Sequence, residues 1–173
     1  MSIRDGVLPA IYLSTGLIWT GRSILEVVAH PDYWDPVAAV DWIAVWTFSL
    51  ALFLLAATLV GVAADSGSGG ARRVIGGVAA VAALVAGLAN AIEDGFDVEM
   101  AAPVYAVGAL ITVAAMVVFA VALGISGRPR WFAAVLLMVV GVVTISAGFG
   151  VLVLMGAGVA TWARRSRTTT TGK

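Results

Sequence analysis

Cysteine is absent from the 173 residues, histidine occurs once as His30, and lysine once as Lys173. The lack of thiols excludes a disulfide scaffold, thiolate chemistry and cysteine-rich zinc sites. A single histidine excludes multi-histidine metal sites and bis-histidine haem ligation within one chain. No cofactor is therefore expected, since axial ligation by His30 alone has nothing else to support it. Charge is scarce as well, at 12% of residues against roughly a quarter in a soluble domain. So few charges cannot cover a soluble fold of this length, which excludes a soluble globular enzyme. A mean hydropathy of +1.04 excludes a disordered chain. Ten basic and ten acidic residues cancel, leaving no basic excess with which to hold nucleic acid.

Catalytic and phosphate-binding signatures are missing too. The loop Gly67, Ser68, Gly69, Gly70 lacks the Gly-Lys-Ser/Thr ending and the preceding strand of a phosphate cradle. The segment holding Asp94, Gly95, Asp97 and Glu99 lacks the alternating oxygen ligands that precede the glycine of a calcium loop. Ser23 and Asp32 are near His30, but in no arrangement that specifies a nucleophilic triad. The preference for Arg over Lys, with abundant Ala, Gly and Val, is associated with bacteria whose DNA is rich in G+C.

The chain does contain long uncharged runs, at 6–21, 42–64, 74–92, 100–127 and 131–163. A helix needs about 20 apolar residues to cross a hydrocarbon core of roughly 30 Å. The middle three runs meet that length, and the first does so if Arg22 and Glu26 are admitted. Nothing alternates apolar with polar as the strands of a membrane barrel do. The expectation is an all-α polytopic membrane protein: a single bundle of five helices at about 7–29, 37–64, 73–93, 102–125 and 131–161. A basic, disordered tail is expected over 164–173. His30 and Pro31 end the first helix. Asp35 and Pro36 read as an N-cap followed by proline at the first helical position. Asp94 with Gly95 reads as a turn, as does the stretch Gly127, Arg128, Pro129, Arg130. Pro9 and Pro103 are expected near helix starts. Arg4 could open a signal peptide, but the apolar run leads to Arg22 and Glu26 instead of a small-residue cleavage site, so the stretch is kept as a span.

Basic residues of short loops stay cytoplasmic. Arg4, Arg72, Arg73, Arg128 and Arg130 fall on one side, while Asp32, Asp35, Asp41, Glu93, Asp94, Asp97 and Glu99 fall on the other. This predicts a multi-pass protein of the cell membrane with a cytoplasmic N-terminus. Trp34, Trp42 and Tyr105 would then form an outer aromatic belt, with Trp131 at the inner interface. The tail conflicts with five spans, because Arg164, Arg165, Arg167 and Lys173 would end outside. Either the last run is one long tilted helix of about 50 Å, which is the reading preferred here, or it breaks at 144–150, where Thr144, Ser146, Gly148 and Gly150 cluster.

Polar residues inside lipid are costly, at roughly 2.5–3.5 kcal/mol for a charge at the bilayer centre. Tyr12, Thr15, Trp19, Arg22 and Glu26 follow steps of three and four along one helix face, and His30 continues it. Ala79, Ala83, Gly87, Asn90 and Asp94 do the same on the third helix, where small residues let helices approach closely. Both stripes reach the same half of the membrane, Arg22 lying about 12 Å inward of His30 along the axis. The expected site is an outer-leaflet cluster of Arg22, Glu26, Asn90, Glu93 and Asp94, lidded by His30 and Asp97.

Each element also has a plainer reading. Arg22 and Glu26 can neutralise each other on one helix. The acids from Glu93 to Glu99 can form a solvated loop, and His30 can be an interfacial cap. Trp19 and the small-residue stripes can be packing. Three functions fit: a non-catalytic membrane component (accessory subunit, scaffold or regulator) that partners other helices or itself, a small proton- or ion-coupled transporter or channel, or an intramembrane enzyme acting on a lipidic substrate. The transporter has few polar pore-lining groups to draw on, chiefly Thr47, Ser49, Thr58 and Thr112. The enzyme would use Glu26, Glu93 or Asp94 for proton transfer, with Arg22 holding an anion.

Overall fold

A computed structural model describes residues 3–32, 36–67 and 69–170. Its described residues are all helix, turn or loop, with six helices: α1 (Ile3–Ala29), α2 (Ala39–Asp65), α3 (Gly70–Phe96), α4 (Ala102–Ile125), α5 (Pro129–Val143) and α6 (Val151–Thr170). Short 3-10 turns at Glu99–Ala101 and Ile145–Ala147 precede α4 and follow α5. Each helix packs on its neighbours in the chain, and α6 returns to α1, so the six close into a ring. Three helices, α2, α3 and α4, are long and apolar enough to cross a membrane, and α5 is a shorter apolar helix.

Side-chain size is sorted by face. Helix α3 buries Gly76, Ala79, Ala83, Ala86 and Gly87, while Val74, Val81, Leu84, Leu88 and Ile92 are exposed. Helix α4 likewise exposes Val104, Val107, Leu110, Val118 and Ile125. Water would favour the reverse arrangement; hydrocarbon favours this one, because small side chains let backbones approach and large ones meet lipid at no cost. Close approach is visible at three glycines. A Cβ at Gly16 would lie 2.5 Å from the Leu154 backbone, one at Gly156 2.6 Å from the Ala134 carbonyl, and one at Gly87 2.7 Å from the Phe53 ring.

The expected fifth span is broken. Residues 131–161 form α5 and α6 as two antiparallel helices, so the preference for one long helix and a count of five is corrected to six. The break is stabilised from outside its own segment. Ser23 of α1 accepts from the Gly150 amide (3.1 Å), which the broken helix leaves over, and donates to the Ile145 carbonyl (3.0 Å), which also accepts from the Gly148 amide (3.0 Å). Gly148 takes φ +83°, and a Cβ at Gly150 would lie 2.5 Å from both Ser23 Cβ and the Trp19 carbonyl. Helix α6 also continues past Arg164 to Thr170, where a disordered tail was expected to begin.

Other local expectations shift for physical reasons. The N-cap of α2 is Ala38, not Asp35 (which is outside the described residues), because the Asp41 carboxylate organises the connection. It accepts from the amides of Asp32 (3.0 Å), Val37 (3.2 Å) and Ala38 (2.8 Å). Asp94 and Gly95 form no turn. Helix α3 continues to Phe96, since Gly95 packs beneath Trp46 and Phe96 meets the same ring edge-on at 5.8 Å; the helix ends at Asp97, with φ +57°. Pro9 lies within α1, which starts at Ile3, whereas Pro103 and Pro129 sit in the first turns of α4 and α5. Trp131 is buried in the core instead of lying at an interface.

Replacing Ser23 with Ala should cost about 1–3 kcal/mol, because it strands the buried Gly150 amide. Thermal unfolding in detergent would register this as a lowered midpoint; an unchanged midpoint would mean that Ser23 does not secure the break.

Candidate functional site

The polar stripe of α1 faces α2 and is hydrogen-bonded along its length. Thr15 donates to the Ile11 and Leu54 carbonyls (2.9 and 3.0 Å) and shares a 2.7 Å hydrogen bond with the Thr58 hydroxyl. The Trp19 indole donates to the Ala51 carbonyl at 3.1 Å. At one end of the ring the Tyr12 hydroxyl donates to Asp65 (3.0 Å), which also pairs with Arg164, joining α1, α2 and α6. Arg72 donates to Ser126 nearby, bridging α3 and α4. These contacts make the stripe mainly a means of attaching α1, which agrees with the plainer reading of Trp19.

The same stripe ends in a cavity at the opposite end of the ring, about 430 Å³ in volume. Its walls are Arg22 and Glu26 of α1, Val45 and Phe48 of α2, Asn90, Glu93 and Asp94 of α3, Ala102, Tyr105 and Ala106 of α4, and Ile145 of the 3-10 turn after α5. The structure thus brings together Arg22, Glu26, Asn90, Glu93 and Asp94. His30 and Asp97 do not line the cavity; both are exposed and both take positive φ at helix ends, so they act as caps, not a lid. Ala79 and Ala83 are buried in the core beneath, and Gly87 packs on Leu52 and Phe53 of α2.

Within the cavity Arg22 is 6% exposed and Glu26 24%, with Nη1 of the first 2.6 Å from Oε2 of the second. The Arg22 guanidinium also lies 5.4 Å from the centre of the Phe48 ring, a cation–π distance. Phe48 in turn meets Trp19 edge-on at 5.8 Å and Tyr105 at 6.1 Å, so the two rings that line the cavity belong to one aromatic cluster. Asn90 donates to the Ser49 hydroxyl at 3.0 Å, which fixes α3 against α2 at the cavity edge. Glu93 and Asp94 are half-buried consecutive residues, and among the described residues no hydrogen bond or ion pair engages either.

Six of the lining residues lay outside the sequence expectation: Val45, Phe48, Ala102, Tyr105, Ala106 and Ile145. Phe48 and Ile145 carried no signal, since an apolar residue in an apolar run does not disclose its direction. Tyr105 was assigned to a belt and instead lines the cavity. Asp65, which pairs with Arg164, carried no signal beyond being an acid close to Arg72 and Arg73 in the sequence. Ser23 serves the helix break and not a nucleophile, and exposed His30 is not among its hydrogen-bond partners. No group of three or more metal-ligating side chains occurs among the described residues.

Removing one partner of a mostly buried ion pair costs more than replacing both with apolar residues. Arg22→Leu should therefore destabilise the fold by about 2–4 kcal/mol, and adding Glu26→Leu should restore much of that loss. Unfolding of the two single variants and the double variant checks this; strictly additive losses would contradict a coupled pair.

The chain matches no protein-family model, no curated protein and no solved structure.

Proposed function

We propose that this chain is a six-span protein of the cell membrane, non-catalytic, whose outward end forms a small ligand-binding cleft. The cavity carries this reading: five elements converge on it, and its one arginine is neutralised within its own helix. Its volume of about 430 Å³ falls within the 300–1,000 Å³ range common for small-molecule sites.

Charge supports the orientation. The end bearing Arg72, Arg73, Arg128, Arg130, Arg164 and Arg165 is the cytoplasmic one, and the cavity end bears Asp32, Glu93, Asp94, Asp97 and Glu99. Six crossings place the end of α6 beside the start of α1, which removes the conflict over the basic tail. Arg130 stacks on exposed Trp162 at 4.1 Å, as an interfacial cation and aromatic do. Helix α5, about 22 Å long at 1.5 Å per residue, is short for a span, and the following 3-10 turn adds about 6 Å.

The other two readings lose ground on specific contacts. The hydroxyls that a transporter would need are already engaged: Ser49 with Asn90, Thr58 with Thr15, Thr47 with the Ile43 carbonyl and Thr112 with the Gly108 carbonyl. Between the two ends, Leu55, Leu59, Met116, Phe119 and Met138 fill the core. An enzyme would need Arg22 to hold an anion, and Glu26 already occupies it.

Because the chain has no cysteine, single replacements report cleanly. In intact cells a small membrane-impermeant thiol reagent should label Glu99→Cys on the outer loop and Ala106→Cys in the cavity. Arg165→Cys should react only after permeabilisation. Labelling of Arg165→Cys in intact cells would overturn the orientation. An unreactive Ala106→Cys beside a reactive Glu99→Cys would overturn the open cleft.

A further inference from the structure

We infer that the outer cavity binds an amphiphilic organic cation through an ammonium-type head group, a ligand class that rests on reading the cavity as a binding cleft. Three observations converge on positive charge, and a fourth on an apolar body. First, the cavity walls hold one cation against three carboxylates, and the cation is already paired with one of them, Glu26, at 2.6 Å. The remaining two, Glu93 and Asp94, are consecutive on α3, and among the described residues nothing neutralises them. An anion entering here would meet uncompensated like charge; a cation would relieve it.

Second, the ring of Tyr105 lies in the same wall, held edge-on to Phe48. An aromatic face beside carboxylates is the setting in which alkylammonium groups are recognised, because the ring quadrupole attracts the cation without demanding a hydrogen-bond donor. The cavity already contains one instance of this contact, the Arg22 guanidinium over Phe48.

Third, the approach is acidic. Asp97 and Glu99 are exposed on the loop between α3 and α4, so the field outside the cavity draws cations toward it. Fourth, apart from Asn90, which is bonded to Ser49, the rest of the lining is apolar. Helix α5 stops at Val143, and Ile145 of the following 3-10 turn supplies the wall there. An apolar body on the ligand would match that wall as the head group matches the carboxylates.

The test uses the full chain in nanodiscs of phosphatidylglycerol, a lipid without an ammonium group, with intrinsic tryptophan fluorescence as the readout and empty nanodiscs as the blank. Benzyltrimethylammonium should bind saturably, and phenylmethanesulfonate, similar in size and opposite in charge, at least tenfold more weakly. The isosteric pair Glu93→Gln with Asp94→Asn should weaken the cation at least tenfold while leaving the melting midpoint within a few degrees. Equal or tighter binding of the sulfonate, or wild-type affinity in the double variant, would overturn the cation assignment and leave the cleft standing. Saturable binding of neither probe would overturn the cleft itself. Adding phosphatidylethanolamine distinguishes the source: competition identifies a lipid head group, and its absence a free organic cation.

Discussion

Hydrocarbon accepts and donates no hydrogen bonds, so every polar group within the proposed membrane span must find its partner inside the chain. Most of the polar architecture follows from that constraint. Thr15, Trp19 and Tyr12 attach α1 to α2 through carbonyls and side chains that face them. The loop that separates α5 from α6 is secured by Ser23, on a different helix, which meets the stray Gly150 amide and adds a second donor to the Ile145 carbonyl. Asp41 does the same for the amides of Asp32, Val37 and Ala38 in the connection ahead of α2. Among the described residues the carboxylates of Glu93 and Asp94 have no hydrogen bond or ion pair, and they face a cavity.

On α3 the usual sorting by size is inverted, while Leu55, Met116 and Phe119 of the other helices fill the core. A soluble core places its largest apolar side chains inside, whereas α3 turns alanine and glycine inward and valine and leucine outward. Close backbone approach then supplies dispersion contacts that the hydrophobic effect cannot provide between lipid-soaked helices. The cavity exists because that close packing lapses at one end. There α1 carries Arg22 and Glu26, α5 has already ended, and the gap is bounded by side chains instead of backbone. Fold and site are thus two consequences of one packing rule, kept along most of the ring and relaxed at its acidic end.

Helix class and the two polar stripes were legible in the sequence because charge gaps and steps of three and four are properties of the chain alone. Arg22, Glu26, Asn90, Glu93 and Asp94 could be grouped on that basis, and the structure brings them into one cavity. The break at 144–150 was ambiguous because the residue that stabilises it, Ser23, lies more than a hundred positions away. The direction of Phe48, Tyr105 and Trp131 was not legible either: an aromatic residue near a helix end fits a belt and a core equally well. Asp97 and His30 looked like lid residues by spacing, yet each sits just beyond its helix, where left-handed backbone turns it out of the face it would have continued.

All of this depends on large apolar side chains facing lipid instead of another protein surface or water. Extraction of membranes from cells that express the chain, at alkaline pH in carbonate, measures that most directly. The account predicts that the protein stays in the membrane pellet and is released only by detergent. Release into the alkaline supernatant, or a stable monomer in detergent-free buffer, would contradict it.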